Sequence, residues 1–122
     1  MYNTTEQFME KMQEFFPVTK ERYNESVAEY GEVRVTIIIE DVFMPEIIRL
    51  LSADENSPFL EEIFQYIEEI VSDNNVHLID ILSVTMFEIL GNDKKILKTA
   101  LRYMGTKTTM LQLEANKALG RL

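Results

Sequence analysis

The amino-acid sequence predicts a single all-α domain over residues 1–122, a bundle of about seven short helices. Three observations carry this expectation. Apolar residues return every three or four positions in segment after segment, the period of a helix face and not of a strand. N-cap residues or proline precede most of these runs, and glycine follows several of them. No Pro-, Gly- or Ser-rich stretch is long enough to divide the chain. The same helices could stack as a short two-layer, HEAT-like solenoid, but no repeat of fixed period supports that alternative.

The first helix shows Phe8, Met9, Met12, Phe15 and Phe16 at helical spacing, opened by the capping-box pair Asn3 and Glu6 and closed by Pro17. Thr19 is the expected cap of a second, with Tyr23, Val27 and Tyr30 on its apolar face and Gly31 at its end. Val33, Val35, Ile37 and Ile39 then alternate as a strand would, yet no second strand pattern exists to pair with them. The run continues into Val42, Phe43, Ile47, Leu50 and Leu51. A helix is therefore expected from about Thr36 to Ala53, kinked at Pro45, after a short extended entry at 33–36.

Ser57-Pro58 signals the next start: a serine cap, proline at the first helical position, and Glu61 and Glu62 where the helix dipole favours anions. Leu60, Ile63, Phe64, Ile67, Ile70 and Val71 form its buried face. After a turn at Asp73-Asn74-Asn75, the segment from Val76 to Leu90 is apolar nearly all round, interrupted by His77, Asp80, Ser83 and Glu88. Such a helix is expected at the centre of a bundle, and Gly91 ends it. Asn92-Asp93 caps a helix with Ile96, Leu97, Ala100, Leu101 and Met104 on one side and Lys94, Lys95, Lys98 and Arg102 on the other, as far as Gly105. Thr109 and Gln112 have capping-box spacing for a last helix through Leu111, Leu113, Ala115, Ala118 and Leu119.

With 46% hydrophobic and 27% charged residues, 122 residues suffice for one core and are too apolar for disorder. No apolar run approaches the ~20 residues a membrane-spanning helix needs, and the first residues lack the basic and apolar regions of a signal peptide. No membrane partner is expected, and cytoplasmic residence is the default. The absence of cysteine excludes disulfides, thiolate metal sites and thiol nucleophiles.

The charge is laid out unevenly. Residues 1–93 hold 20 of the 21 acidic residues and five basic ones, a net of −15, whereas residues 94–122 hold seven basic residues against Glu114, a net of +6. Concentrating like charges works against the compact state, so the segregation suggests a surface shaped for a partner of opposite sign. Glu6, Glu10 and Glu14 recur at i,i+4, as do Glu21, Glu25 and Glu29, with Glu32 next. Like charges at that spacing each weaken a helix by a few tenths of a kcal/mol. Glu61, Glu62, Glu68 and Glu69 form a third acidic face, with Asp54, Glu55 and Asp73 at its ends. Any one stripe could be a solvated face, but three within one segment favour at least one contact with a basic partner. The basic run from Lys94 to Lys107 could hold phosphate; docking against the acidic helices is the favoured reading.

Catalysis is poorly supported. His77 is the only histidine, no serine sits in a nucleophile elbow, and no glycine-rich phosphate loop exists. No catalytic, cofactor or metal residue is therefore assigned. His77 and Asp80 at i,i+3 read as a polar pair near a helix start before they read as a general base. Asp80 and Glu88 stand about 12 Å apart at 1.5 Å per residue, too far for a paired-carboxylate site, so internal pairing is the favoured reading for both. An enzyme using Asp80, Glu88 and Tyr103 is the least supported alternative.

Several segments, Phe16-Pro17, Val42-Phe43-Met44-Pro45, Ile63-Phe64-Gln65-Tyr66-Ile67-Glu68, Val84-Thr85-Met86-Phe87-Glu88-Ile89-Leu90 and Tyr103-Met104-Gly105, together resemble an uncharacterised family of small helical bacterial proteins. Such proteins look like immunity proteins of polymorphic-toxin or contact-dependent growth inhibition systems, which bind and block one cognate toxin domain. The resemblance implies one cognate toxin domain as partner and no catalytic residues; the acidic helical surface makes a basic nuclease the expected toxin, since cleaving RNA or DNA requires a positive surface. Glu21, Glu25, Glu29, Glu61, Glu62, Glu68 and Glu69 are the residues expected in that contact. The alternative is a non-catalytic helical scaffold or regulatory subunit whose basic C-terminal helices bind nucleic acid or an acidic protein.

Overall fold

The computed structural model describes residues 5–53, 57–73 and 75–121; Asn3, Asp54, Glu55 and Asn74, named above, lie outside the described residues. Among the described residues the chain forms seven helices and no strand. Helix α1 (Thr5–Phe15) leads through a 3-10 turn (Pro17–Thr19) into α2 (Lys20–Tyr30). Helix α3 runs through three contiguous stretches, Val35–Ile38, Ile39–Phe43 and Met44–Ala53, of which the middle one is π-helical. Helix α4 is Pro58–Val71. Helix α5 is again tripartite, Val76–Leu82, a π turn at Ser83–Phe87, and Glu88–Leu90. Helices α6 (Lys94–Tyr103) and α7 (Thr106–Ala118) complete the bundle.

Local chemistry sets most of the ends. Ser57 Oγ accepts from Leu60 N–H (3.3 Å) ahead of Pro58. Asp93 Oδ1 accepts from Lys95 and Ile96 N–H (2.8 and 3.2 Å). Asn75 Oδ1 accepts from Leu78 N–H (3.0 Å) and caps α5, a role its reading as a turn residue did not include. Gly31 closes α2 in the left-handed region (φ 73°), where a side chain is disfavoured. Arg34 is extended (φ −93°, ψ 91°) and the helix begins at Val35, so the extended entry expected over 33–36 stops two residues short, at Arg34.

Three expected caps are different in the fold. Thr19 offers no side-chain cap to α2; it is buried, and its hydroxyl donates to Phe16 O (2.6 Å), closing the turn before it. Thr109 and Gln112 form no capping box, because α7 starts three residues earlier, at Thr106, and Gln112 is wholly buried. Gly105 does not end α6, whose C-cap is Met104, and stands instead at the N-cap of α7; Gly91 does end α5 as expected, with φ −78° and not in the left-handed region. Both positions are crowded by side chains: a Cβ on Gly91 would lie 2.5 Å from Asn116 Oδ1, and one on Gly105 would lie 2.5 Å from Glu68 Cδ, so either side chain would have to shift.

The core joins Phe8 and Met12 of α1, Ile38, Ile39, Phe43 and Ile47 of α3, Leu60, Ile63, Phe64 and Ile67 of α4, and Leu82, Met86 and Phe87 of α5. The two π turns pack against each other within it. A π turn widens the helix by a residue, so the Val42-Phe43 and Met86-Phe87 pairs both reach the core from one turn. Pro45 follows the first π turn and cannot donate to the carbonyls one turn back, those of Glu40 and Asp41. Arg22 of α2 donates its Nη2 to Asp41 O instead. The π turn ends at Phe43, two residues before the proline at which a kink was expected.

Helix α5 is not enclosed on all sides, since Val76 is 67% and Val84 is 54% exposed. Two other helices depart further from a simple apolar stripe. Helix α2 buries no side chain completely. Helix α7 buries polar residues, Thr108, Gln112 and Asn116, while Met110 and Leu113 face solvent. That inversion puts Gln112, expected at the helix start in a capping box, in the buried middle of α7.

Candidate functional site

The acidic residues of α1 and α4 converge around one aromatic side chain. On α1, burial of Phe8, Met9 and Met12 turns Glu6, Glu10 and Glu14 outward along a single ridge. On the α4 side of that ridge, Lys11 and Phe15 line a cleft with Glu62, Gln65, Tyr66 and Glu69. The Tyr66 ring stacks on Phe8 (centroids 6.3 Å apart) and meets Phe15 edge-on (5.9 Å). Lys11 Nζ lies 5.1 Å from the Phe15 centroid and 5.9 Å from that of Tyr66. Burial, then the negative charges of Glu14 and Glu69, push the Tyr66 phenol up to about 12. Two helices far apart in sequence thus present their carboxylates to the same hydroxyl.

The other flank of α4 is built differently. Glu61 and Gln65 line a cleft with Glu68, Arg102 and Tyr103 against α6. Glu68 reaches across to α7, where Oε2 accepts from Lys107 N–H (3.1 Å) and Oε1 accepts from Thr108 N–H and Thr108 Oγ1 (2.8 Å each). Burial pushes the Glu68 carboxyl up, but the Thr108 and Lys107 hydrogen bonds and the Lys107 charge outweigh it and leave it below its ordinary range. Glu68 is the N-cap that α7 lacks in its own sequence. Tyr103 is also structural: its ring stacks on Phe64 (6.0 Å) and its hydroxyl accepts from Ser57 N–H (3.1 Å) at the start of α4.

The seven glutamates expected at a partner therefore do not form one patch. Glu62 and Glu69 join Glu14 beside Tyr66; Glu61 is exposed on the opposite side of the α4 ridge; Glu21, Glu25 and Glu29 are exposed along α2. Glu68 is corrected from a surface contact to an internal cap. Glu10, Glu14 and Tyr66, absent from the expected set, belong to the acidic face. The i,i+4 spacing of α1 was a signal for the two glutamates, but nothing in the sequence marked Tyr66 apart from other half-buried aromatics.

Three ion pairs form among the described residues, Lys11–Glu14 (3.9 Å), Arg34–Glu32 (3.6 Å) and Arg49–Glu46 (3.1 Å). None of these three joins the basic C-terminal segment to the acidic helices; the described contact between them is the one from Lys107 and Thr108 to Glu68. Lys95, Lys98 and Arg102 instead line a cleft with Leu51 and Ser52 at the end of α3. Asp80 and His77 are both exposed, and neither Asp80 nor Glu88 joins a described ion pair, which corrects the expected internal pairing. At the end of α5, Gln112 Nε2 donates to Phe87 O (2.8 Å) and Asn116 Oδ1 (3.1 Å), and Arg121 Nη1 donates to Glu88 O (2.9 Å). Neither Asp80 nor Glu88 lines the cleft beside Tyr103. Among the described residues no group of three or more His, Cys, Asp or Glu is placed to hold a metal, and no helix is long and apolar enough to cross a membrane.

Residues 9–118 match the model of one protein family, described as a domain of unknown function, DUF7674. No curated protein and no solved structure matches the chain.

Proposed function

We propose that this chain, which belongs to the DUF7674 family, is a non-catalytic immunity protein that neutralises a basic bacterial toxin domain through its acidic helical surface. The observation that carries this reading is the outward, mostly unneutralised set of carboxylates on α1 and α4. Among Glu6, Glu10, Glu14, Glu62 and Glu69, only Glu14 takes part in a described ion pair, and that pair is long, at 3.9 Å. A toxin that cleaves RNA or DNA needs a positive surface to hold phosphates. An acidic face lying on that surface excludes the substrate, and charge complementarity speeds the encounter. The toxin part of the reading rests on the resemblance of the sequence segments to immunity proteins. Cytoplasmic residence belongs to the same proposal and fits a chain without cysteine.

Coexpression with the product of the neighbouring gene tests it directly. Copurification is expected, with an association rate that falls about tenfold or more at low salt when Glu10, Glu14, Glu62 and Glu69 are all changed to lysine. An association rate that does not change would remove the acidic face from the contact, and failure to copurify with any cationic neighbour would remove the toxin. The second reading, a scaffold binding nucleic acid through α6, is favoured by the Lys95–Lys98–Arg102 cleft alone. RNA or DNA binding with a steep salt dependence, lost on Lys95→Glu with Lys98→Glu, would put it first.

A further inference from the structure

The α1 ridge has a second flank, opposite α4, and its chemistry differs from that of the first. There Met9 and Tyr23 meet Val33 and Val35 in an open cleft of about 460 Å³, with Glu6 and Glu10 along its edge. His77 completes the wall, and Val76 beside it in the chain is 67% exposed. Val33 is itself 42% exposed, on the short connection between α2 and α3. An apolar floor with one edge of paired glutamates has the layout of an interface centre with a charged rim.

We infer that this cleft is the anchor point for a cationic amphipathic segment of a partner protein. One large apolar side chain of that segment packs on Tyr23, Val33 and Val35, and neighbouring lysine or arginine side chains lie on Glu6 and Glu10. The inference rests on the proposed binding of a basic protein and says where the affinity resides. Charge along α1, α2 and α4 steers the encounter, but exposed charge pairs add little to a bound complex. A few desolvated apolar contacts at the centre of an interface carry most of the affinity. The glutamate edge selects against an anionic occupant such as nucleic acid or an acidic helix, and the apolar floor selects against a purely polar one.

The probe is a short Lys/Leu amphipathic helical peptide carrying a fluorophore, with a Lys/Ser peptide of equal length and charge as control. Binding is followed by anisotropy at physiological salt and mapped by backbone amide NMR shifts. The Lys/Leu peptide is expected to bind at least about tenfold more tightly than the Lys/Ser peptide, with the largest shifts at Met9, Tyr23, Val33 and Val35. Val33→Asp, at an exposed position, is expected to weaken it about tenfold, and the pair Glu6→Gln with Glu10→Gln only about threefold, both with an unchanged circular dichroism spectrum. Equal binding of the two peptides, or shifts centred on Glu62, Tyr66 and Glu69, would overturn the anchor while leaving the acidic-face reading standing. A chain lacking residues 1–4 that binds the Lys/Leu peptide about tenfold more tightly would make those residues the natural occupant and equally overturn it. Failure of the parent reading shows separately, in the copurification with the neighbouring gene product.

Discussion

Glu68 and Thr108, on α4 and α7, are joined by two hydrogen bonds of 2.8 Å to the same carboxylate oxygen, one from the Thr108 backbone and one from its hydroxyl. With Lys107 N–H on the other oxygen, one side chain of α4 satisfies the start of a helix that supplies no cap of its own. The cap also explains Gly105, the only residue type that leaves room for the carboxylate at that position.

Removal of this cap is expected to be costly and coupled. Glu68→Ala should destabilise the fold by about 1 kcal/mol, the usual cost of a lost N-cap. Gly105→Ala should cost a similar amount, because its Cβ displaces the carboxylate from the α7 backbone. The double variant should then cost less than the sum of the singles. Urea unfolding of the four chains checks this, and strict additivity would show that Gly105 acts independently of Glu68.

Acid should weaken the same contact. The Glu68 carboxyl is held below its ordinary range, so the native state binds fewer protons than the unfolded chain as pH falls. Its stabilising contribution is complete above the ordinary carboxylate range near 4.3 and is lost as pH drops through the lowered native value. The stability difference between the native chain and Glu68→Gln should therefore shrink on acidification from neutral pH. A difference that stays constant down to the acid transition would contradict the assignment.

Tyr66 gives the opposite sign at the alkaline end. Its phenol is raised from 10.0 to about 12, so between those values the unfolded chain loses a proton that the native state keeps. Its contribution is complete below pH 10 and disappears as pH rises through about 12. Ultraviolet titration should show one phenolate forming late, absent in Tyr66→Phe. In the Glu14→Gln, Glu69→Gln chain it should form earlier, though still above the ordinary value because burial is the larger cause.

At the end of α5, Gly91, Gln112, Asn116 and Arg121 form one polar cluster. Gln112→Leu leaves Asn116 Oδ1 without its buried donor and should cost about 1–3 kcal/mol. Gly91→Ala should cost about as much, through the clash with Asn116 Oδ1. Adding Asn116→Ala should recover part of the Gly91→Ala loss. Thermal unfolding of these chains supplies the comparison.

Helix α2 should be the first to loosen. No side chain of α2 is fully buried; Tyr23 and Val27 pack against the core in part and Arg22 bonds Asp41 O, so Arg22→Ala should cost about 1 kcal/mol. Hydrogen exchange should accelerate in Lys20–Tyr30 and stay unchanged in α4. A uniform acceleration would mean that α2 opens only with the whole bundle.

The sequence by itself determined the number and type of helices. Apolar period, Ser57-Pro58, Asp93 and Gly31 act within a few residues of one another, so their effects are legible without a fold. It also determined that the carboxylates of α1, α2 and α4 would be numerous and outward, since burying the apolar face of a helix leaves its charged face to solvent. What those carboxylates do was decided by the tertiary structure alone. Glu68 and Glu69 are adjacent in the chain, yet one is an internal cap and the other part of an exposed face, because they turn toward different helices. The packing of the two π turns on each other, the inverted burial of α7 and the crowding at Gly91 and Gly105 arise from contacts between segments far apart in the chain. No local pattern encodes such contacts, because their energy exists only once both segments are in place.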